Sequence, residues 1–182
     1  MESSILIAVL SPILLTLGGI ISWAIKSKKE EYLTVQEKSR EQKITIYETL
    51  LEPFIILFTW TLSEKEKQQA TKKILSIEYK KAAFSLTSFG SDEVLGSFNR
   101  MMQAFFQSEQ EEIKPNAESY AIVMLTFLAD FMLEIRKDIY DKSTSAKRSD
   151  MLKFMITDIE TFKNQINVLD TNDSLTRLFS KY

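Results

Sequence analysis

The stretch SILIAVLSPILLTLGGIISWAIKSKK, residues 3–28, decides how the rest of the sequence is interpreted. No charged side chain occurs from Ser3 to Ile25, a run of 23 residues. As a helix rising about 1.5 Å per residue it would be roughly 34 Å long, enough to cross the hydrocarbon core of a bilayer. A buried core helix rarely lacks charge on every face over such a length. The sequence therefore predicts a transmembrane anchor within residues 1–25.

A cleaved signal peptide is the main alternative, because Ser22 and Ala24 fit the small-residue pattern of a cleavage site. Signal peptides carry Lys or Arg before a shorter apolar region, whereas the charge that precedes this run is Glu2. We therefore expect the segment to be retained in the membrane.

Basic residues directly after the apolar run predict its orientation. Lys26, Lys28 and Lys29 follow the run, and no basic residue precedes it. Trp23 lies at the same boundary, where amphipathic rings are favoured. By the positive-inside rule, we expect a single-pass protein of the cell inner membrane, with its N-terminus outside and residues 26–182 in the cytoplasm.

Small residues recur along one face of the predicted span. At spacings of four and three, the face carries Ser4, Ala8, Ser11, Leu15, Gly18 and Ser22. Small side chains let helices approach closely in lipid, where dispersion and weak hydrogen bonds hold them together. This small-residue stripe predicts a homo-oligomer, and any pore would need a ring of spans because one helix cannot enclose a channel.

The remaining residues favour an all-α fold. The chain has only 4 Gly and 3 Pro, and its apolar residues recur with helical spacing rather than alternating as in strands. We expect a long membrane-proximal connecting helix that continues from the span, followed by an antiparallel cytoplasmic helical bundle; together they form one domain over residues 26–182.

Particular boundaries follow from local signals. Pro53 predicts a bend or restart of the connecting helix, and the apolar run at 53–62 is expected to be buried. Ser63 and Glu66 form a capping box that opens a helix reaching about Ser88. We expect that helix to bury Ile74, Leu75, Ile77, Phe84 and Leu86. Gly90 ends it and Ser91 opens the next helix. A fourth helix runs from about Tyr120 to Ile139, and a fifth holds Met151 to Leu169. Residues 172–182 could add one short helix.

The residues argue against an enzyme. His and Cys are absent, and no glycine-rich phosphate loop or nucleophile motif occurs. Asp130, Glu134 and Asp138 fall on one helix face, where a divalent metal could bind, but a solvated polar face is the expected interpretation. We therefore expect no catalytic residue, no metal and no cofactor.

Two basic segments, 65–73 and 79–81, are expected on a single helix with Tyr79. They could contact RNA or anionic lipid headgroups. Interspersed Glu64, Glu66 and Glu78 dilute their positive charge, and phosphate binding needs that charge concentrated. We therefore do not expect a nucleic-acid partner.

The layout of an anchor at 3–25, a polar helix at 26–46 and a helical bundle from Ile44 onward resembles the small accessory membrane proteins of type VI-B CRISPR systems. That family carries a degenerate ribonuclease signature, in which Arg is followed after four to six residues by His. Here Arg148 is followed at those positions by Lys153, Phe154 and Met155. The resemblance implies an oligomeric membrane pore that supports antiphage defence, without nuclease activity through that motif.

Three functions are consistent with these features. The favoured one is a non-enzymatic oligomeric membrane protein that forms a pore or perturbs the bilayer. The second is a membrane-tethered docking module that recruits a cytoplasmic protein partner and conducts nothing. The third is a helical nuclease with carboxylate-bound metal, which the absence of His disfavours.

Overall fold

The computed structural model describes the backbone of residues 2–58, 63–110, 117–140, 144–156 and 158–169. Side chains are described in these ranges from Ser22 onward, except for residue 64 and residues 107–119. The chain divides into two units, residues 1–42 and residues 43–182. Each unit is described by itself.

Every regular element in the described ranges is an α-helix, so the predicted all-α class is confirmed. In chain order these helices are α1 (Glu2–Phe58), α2 (Glu64–Ile74), α3 (Ile77–Phe89), α4 (Asp92–Gln110), α5 (Ala117–Tyr140), α6 (Arg148–Leu152) and α7 (Ile159–Val168).

The first unit consists of the N-terminal part of α1. Its described side chains between Ser22 and Glu30 are all exposed, and Lys26 Nζ lies 3.9 Å from the Glu30 carboxylate. Within the part of the chain whose side chains are described, no helix combines the length and the apolar character needed to cross a membrane. The predicted span at 3–25 falls mostly outside that part.

The second unit begins on the same helix, whose last turns enter a hydrophobic core. Tyr47, Leu50 and Phe54 are almost fully buried there. The predicted restart of the helix at Pro53 is wrong, since α1 continues to Phe58, and the alternative of a bend there stays a prediction. Proline removes one helical hydrogen bond. The burial of Phe54, whose ring packs edge-on against Phe105 at 5.9 Å, offsets that loss.

The apolar run at 53–62 is only partly described. Pro53 and Phe54 are buried, whereas the side chains from Ile55 to Phe58 are half-buried. Residues 59–62 lie outside the described ranges. Burial is therefore confirmed for the beginning of the run alone.

The helix predicted from Ser63 to about Ser88 is in fact two helices. The capping box at the start is present, because Ser63 N donates to Glu66 Oε2 at 2.8 Å and Ser63 Oγ accepts from the Glu66 backbone. A second cap interrupts the run, since Ser76 Oγ accepts from Tyr79 N at 3.2 Å and starts α3. Serine competes for backbone groups in this way, so it favours a helix start over a helix interior.

The end of α3 and the start of α4 follow the prediction. Gly90 is the C-cap of α3, and Ser91 Oγ accepts from Val94 N at 3.3 Å. Gly90 has φ −79°, an ordinary value, so a left-handed turn is not the reason for glycine here. A Cβ at this position would lie 2.8 Å from Leu86 Cδ1, and space is therefore what the site requires.

Helices α4 and α5 form the centre of the core. The centroids of the Phe98 and Phe131 rings lie 5.4 Å apart, and the centroid of the Tyr79 ring lies 6.4 Å from that of Phe98. The predicted apolar face of α5 is confirmed for its central residues. They are Met124, Phe127, Leu128, Phe131 and Ile135, all buried.

The helix expected from Met151 to Leu169 is also divided. The first short helix, α6, ends at Leu152, and α7 begins at Ile159. Polar bonds tie the two together, because Ser149 N donates to Asn167 Oδ1 at 3.1 Å and Asn167 Nδ2 donates to Ser149 Oγ at 3.0 Å. The turn between them lets Leu152, Ile159 and Ile166 all reach the core. Residues 172–182, where one further short helix was predicted, lie outside the described ranges.

Candidate functional site

The acidic residues of α5 do not form the solvated face that the sequence predicted. Asp130 is only 6% exposed, and the side chain of Asp138 is 9% exposed. Glu134 is half-buried. The three residues do lie on one face of α5, but basic side chains from other helices pair with Asp130 and Asp138. That interpretation of the face as solvated is therefore wrong.

Asp130 binds two arginines from two other helices. Arg100 of α4 donates from Nη2 to Asp130 Oδ2 at 3.0 Å. Arg148 of α6 donates from Nε to Asp130 Oδ1, also at 3.0 Å. Each carboxylate oxygen thus has its own guanidinium, and charge-assisted bonds of this kind are stronger than neutral ones. The three residues join α4, α5 and α6.

The same cluster extends to the end of α7. Arg148 Nη1 donates to the backbone carbonyl of Leu169 at 2.7 Å. Arg100 Nε is buried without a hydrogen-bond acceptor among the described residues. Two guanidinium groups face one carboxylate, so the cluster Arg100–Asp130–Arg148 has a net charge of about +1.

Asp138 forms a second polar contact, with the part of α1 that belongs to this unit. Lys43 Nζ donates to both carboxylate oxygens, at 2.9 and 3.0 Å, and the Tyr47 hydroxyl donates to Oδ2 at 2.5 Å. Burial raises the pKa of Tyr47 well above its usual range, and the hydrogen bond and negative charge of Asp138 raise it further. The phenol therefore stays protonated and serves as a donor.

Asp130, Glu134 and Asp138 bond to different basic side chains. Glu134 lies 2.6 Å from Lys137 on its own helix, while Asp130 and Asp138 bind arginines and a lysine respectively. Among the described residues, no group of three or more potential ligands converges as a metal site would require. The arrangement orders helices and offers no carboxylate free to act as a base.

The basic segments 65–73 and 79–81 lie on different helices, contrary to the prediction. Tyr79, which was expected to accompany them, is buried, and its hydroxyl donates to the Leu50 carbonyl at 3.3 Å. Burial raises the pKa of Tyr79 above its usual range. Lys73 pairs with Glu52 at 2.6 Å. Tyr79 and Lys73 are therefore engaged within the protein, and only the remaining basic residues of the two segments could contact RNA or lipid headgroups.

The side of α3 opposite Tyr79 is exposed. Three side chains that were predicted to be buried are exposed instead: Leu75, between α2 and α3, by 54%, Ile77 by 66% and Phe84 by 75%. A shallow groove of about 450 Å³ is lined by Ile77, Lys80, Lys81, Phe84 and Ser85. The break at Ser76 explains the error, because α3 starts in a new register and turns these apolar residues outward.

The residues predicted to act in the membrane lie in the first unit. Trp23, Lys26, Lys28 and Lys29 are exposed, as is Ser22 at the end of the small-residue stripe. The other stripe residues, Ser4, Ala8, Ser11, Leu15 and Gly18, lie outside the described side chains. Self-association through the stripe stays a prediction.

Sequence reasoning missed the partners of Asp130 and Asp138, although one signal was available. Asp130 stands inside the run MLTFLADFML, residues 124–133, and neighbours on both sides of it are apolar. An acid surrounded by apolar residues on an α-helix is a candidate for burial, and a buried acid needs a cationic partner. The sequence does not indicate which of its arginines provides that partner.

No protein-family model, curated protein or solved structure matches this chain.

Proposed function

We propose that this chain is a non-enzymatic, membrane-anchored protein that self-associates and acts on the bilayer. The observation that carries the proposal is the uncharged run of 23 residues that ends at Trp23–Ile25 and is followed by three lysines. The α-helical backbone of α1, which begins at Glu2, supports it, because helices satisfy their own backbone groups in lipid.

The contacts in the second unit support a structural rather than a catalytic role. Asp130, which is buried, and Asp138, whose side chain is mostly buried, are both held in ion pairs. A general base needs access to substrate and a pKa near the working pH. These carboxylates instead hold helices together, as expected of a domain that takes part in assembly or binds a partner.

Self-association follows from the small-residue stripe, which the sequence places along one side of the helix. A ring of such helices could enclose a conducting path, which one helix cannot. The resemblance to the accessory proteins of type VI-B CRISPR systems adds the proposal that this pore supports antiphage defence. The proposed orientation keeps the second unit in the cytoplasm.

Membrane anchoring and assembly are tested on the full chain. Washed membranes are extracted with alkaline carbonate, and the detergent-solubilised protein is sized by mass photometry. We expect the protein to resist carbonate and to form one defined oligomer. Recovery in the aqueous fraction would contradict the anchor, and a carbonate-resistant monomer would contradict self-association and favour the membrane-tethered docking module.

The stripe itself is tested with paired variants. We expect Ser11→Leu combined with Gly18→Leu to reduce the oligomer and abolish ion leak from loaded liposomes, because leucine prevents close approach. The matched control is Thr16→Leu, which lies about 120° around the helix from Ser4. Equal loss of the oligomer in the control would show that the stripe is not the interface.

A further inference from the structure

The outer face of α3 combines exposed apolar and basic side chains. We define it by Ile77, Lys80, Lys81, Phe84 and Ser88, all of which are exposed. At about 100° per residue, Ile77, Phe84 and Ser88 fall within roughly 40° of one another, with Lys80 on one flank and Lys81 on the other. The face is thus a largely apolar strip with one lysine on each side.

The core fixes the direction of this face. Tyr79 and Leu86 lie roughly opposite Ile77 and Phe84 on the helix and are buried, Leu86 completely. Rotating α3 to bury Phe84 would expose both of them and break the bond from the Tyr79 hydroxyl to the Leu50 carbonyl. The outer face of α3 is therefore exposed to solvent in the folded chain.

We propose that the outer face of α3 lies on an anionic bilayer surface. Phe84 and Ile77 enter the boundary between headgroups and acyl chains, and Lys80 and Lys81 reach the lipid phosphates. Lysine stems extend along apolar surfaces while their ammonium groups stay in the polar layer. The acidic residue of α3, Glu78, lies roughly 100° around the helix from Ile77, outside the apolar centre of the face.

The size of the face favours lipid over a protein partner. Five residues line the groove of about 450 Å³. Each side of a standard protein interface contributes about 20–30 residues. A bilayer needs no matching surface, since headgroups move to accommodate an inserted ring. The attraction of each basic residue to an anionic leaflet is about 1 kcal/mol.

The inference deepens the proposed function, because it names a second contact with the bilayer beyond the anchor. The test uses the full chain in vesicles of phosphatidylcholine alone or mixed equally with phosphatidylglycerol. The sequence contains no Cys, so a single Ser88→Cys carries the only nitroxide label and leaves both apolar side chains in place. Power-saturation measurements then compare its collisions with oxygen and with a water-soluble nickel chelate.

The matched control is Phe154→Cys, an exposed position of the same unit that lies outside the outer face of α3. In the anionic vesicles we expect collisions of the chelate with the label at position 88 to fall at least about threefold relative to position 154. Adding Lys80→Gln and Lys81→Gln should remove that protection. Equal accessibility at the two positions in both vesicles would overturn the inference.

Two further results separate this inference from its alternatives. Protection that is the same without phosphatidylglycerol and disappears when the protein is diluted in lipid would identify a second copy of the chain, and would overturn it. Carbonate extraction of the same samples tests the anchor separately. Carbonate-resistant protein with an accessible label at position 88 would contradict the α3 contact and leave the anchor standing.

If the protein is extracted by carbonate, the anchor fails, and the α3 contact is tested by adding the full chain to the same vesicles from solution. Cosedimentation that depends on phosphatidylglycerol and is lost with Lys80→Gln and Lys81→Gln would support the contact. Equal cosedimentation with both vesicles, or none, would overturn it.

Discussion

Arg148 Nε donates to Asp130 Oδ1 at 3.0 Å, and this bond joins the centre of α5 to the first residue of α6. The two residues are 18 positions apart, and residues 141–147 separate their helices along the chain. Because Arg100 occupies the other oxygen of Asp130, one carboxylate holds three helices together.

Replacing Asp130 should therefore destabilise the second unit. Asp130→Asn leaves two guanidinium groups beside a neutral amide, and we expect a loss of about 3 kcal/mol in the free energy of unfolding. Chemical denaturation followed by circular dichroism measures this loss. The control is Glu160→Gln, which breaks the exposed pair with Lys163 and should change stability little. Similar losses in the two variants would contradict a special role for Asp130.

Because the Tyr47 hydroxyl is protonated in the folded protein, we expect the free energy of unfolding to fall at alkaline pH. The pKa of Tyr47 is raised in the folded protein, so the stabilisation is complete below the ordinary tyrosine value of 10.0 and falls as pH rises above it. The loss approaches about 1.4 kcal/mol per pH unit for one such group. Denaturation at about pH 9 and about pH 11 should show a smaller decrease for Tyr47→Phe than for the unchanged chain. Equal decreases would mean that Tyr47 ionises freely in the folded state.

Two glycines predict opposite effects of the same substitution. A Cβ at Gly90 would lie 2.8 Å from Leu86 Cδ1 and 3.0 Å from the Leu86 carbonyl oxygen, and Leu86 is fully buried. We expect Gly90→Ala to cost about 1–3 kcal/mol. At Gly96, inside α4, the nearest atom is Arg100 Nη1 at 3.5 Å, so Gly96→Ala should stabilise by roughly 0.5–1 kcal/mol. Thermal unfolding of both variants checks the two signs.

Alanine substitutions of one buried and one exposed phenylalanine should lower the free energy of unfolding by different amounts. Phe131 is completely buried and packs on Phe98, so Phe131→Ala should cost about 3–5 kcal/mol. Phe84 is exposed, and Phe84→Ala should change the free energy of unfolding by less than about 0.5 kcal/mol. Denaturation in detergent micelles, without bilayer lipid, makes the comparison. A large loss at Phe84 would place that side chain in the core.

The sequence was most informative where a single local rule decides the structure. The cap at Ser63, the stop at Gly90 and the start at Ser91 depend on neighbouring residues alone, and the structure contains all three. The apolar face of α5 was equally predictable, because its spacing repeats over 24 residues.

Errors arose where two local signals competed or where partners were distant in sequence. The apolar spacing favoured one continuous helix through Ser76, whereas the capping preference of serine favoured a break there. A single sequence does not show which of these two signals is stronger. That choice decided whether Phe84 faced in or out. The burial of Asp130 depends on Arg100 and Arg148, 30 and 18 positions away, which periodicity within α5 does not reveal.

Helix α2 has a consequence for how the second unit exchanges its amide hydrogens. Of its 11 residues, the described ones that reach the core are Ala70 and Ile74, and its first turn depends on one serine cap. Segments with so little buried surface open locally long before the whole domain unfolds. Deuterium should therefore enter the amides of α2 well before those of α4 and α5, and the short helix beside the outer face of α3 can rearrange while the core stays intact.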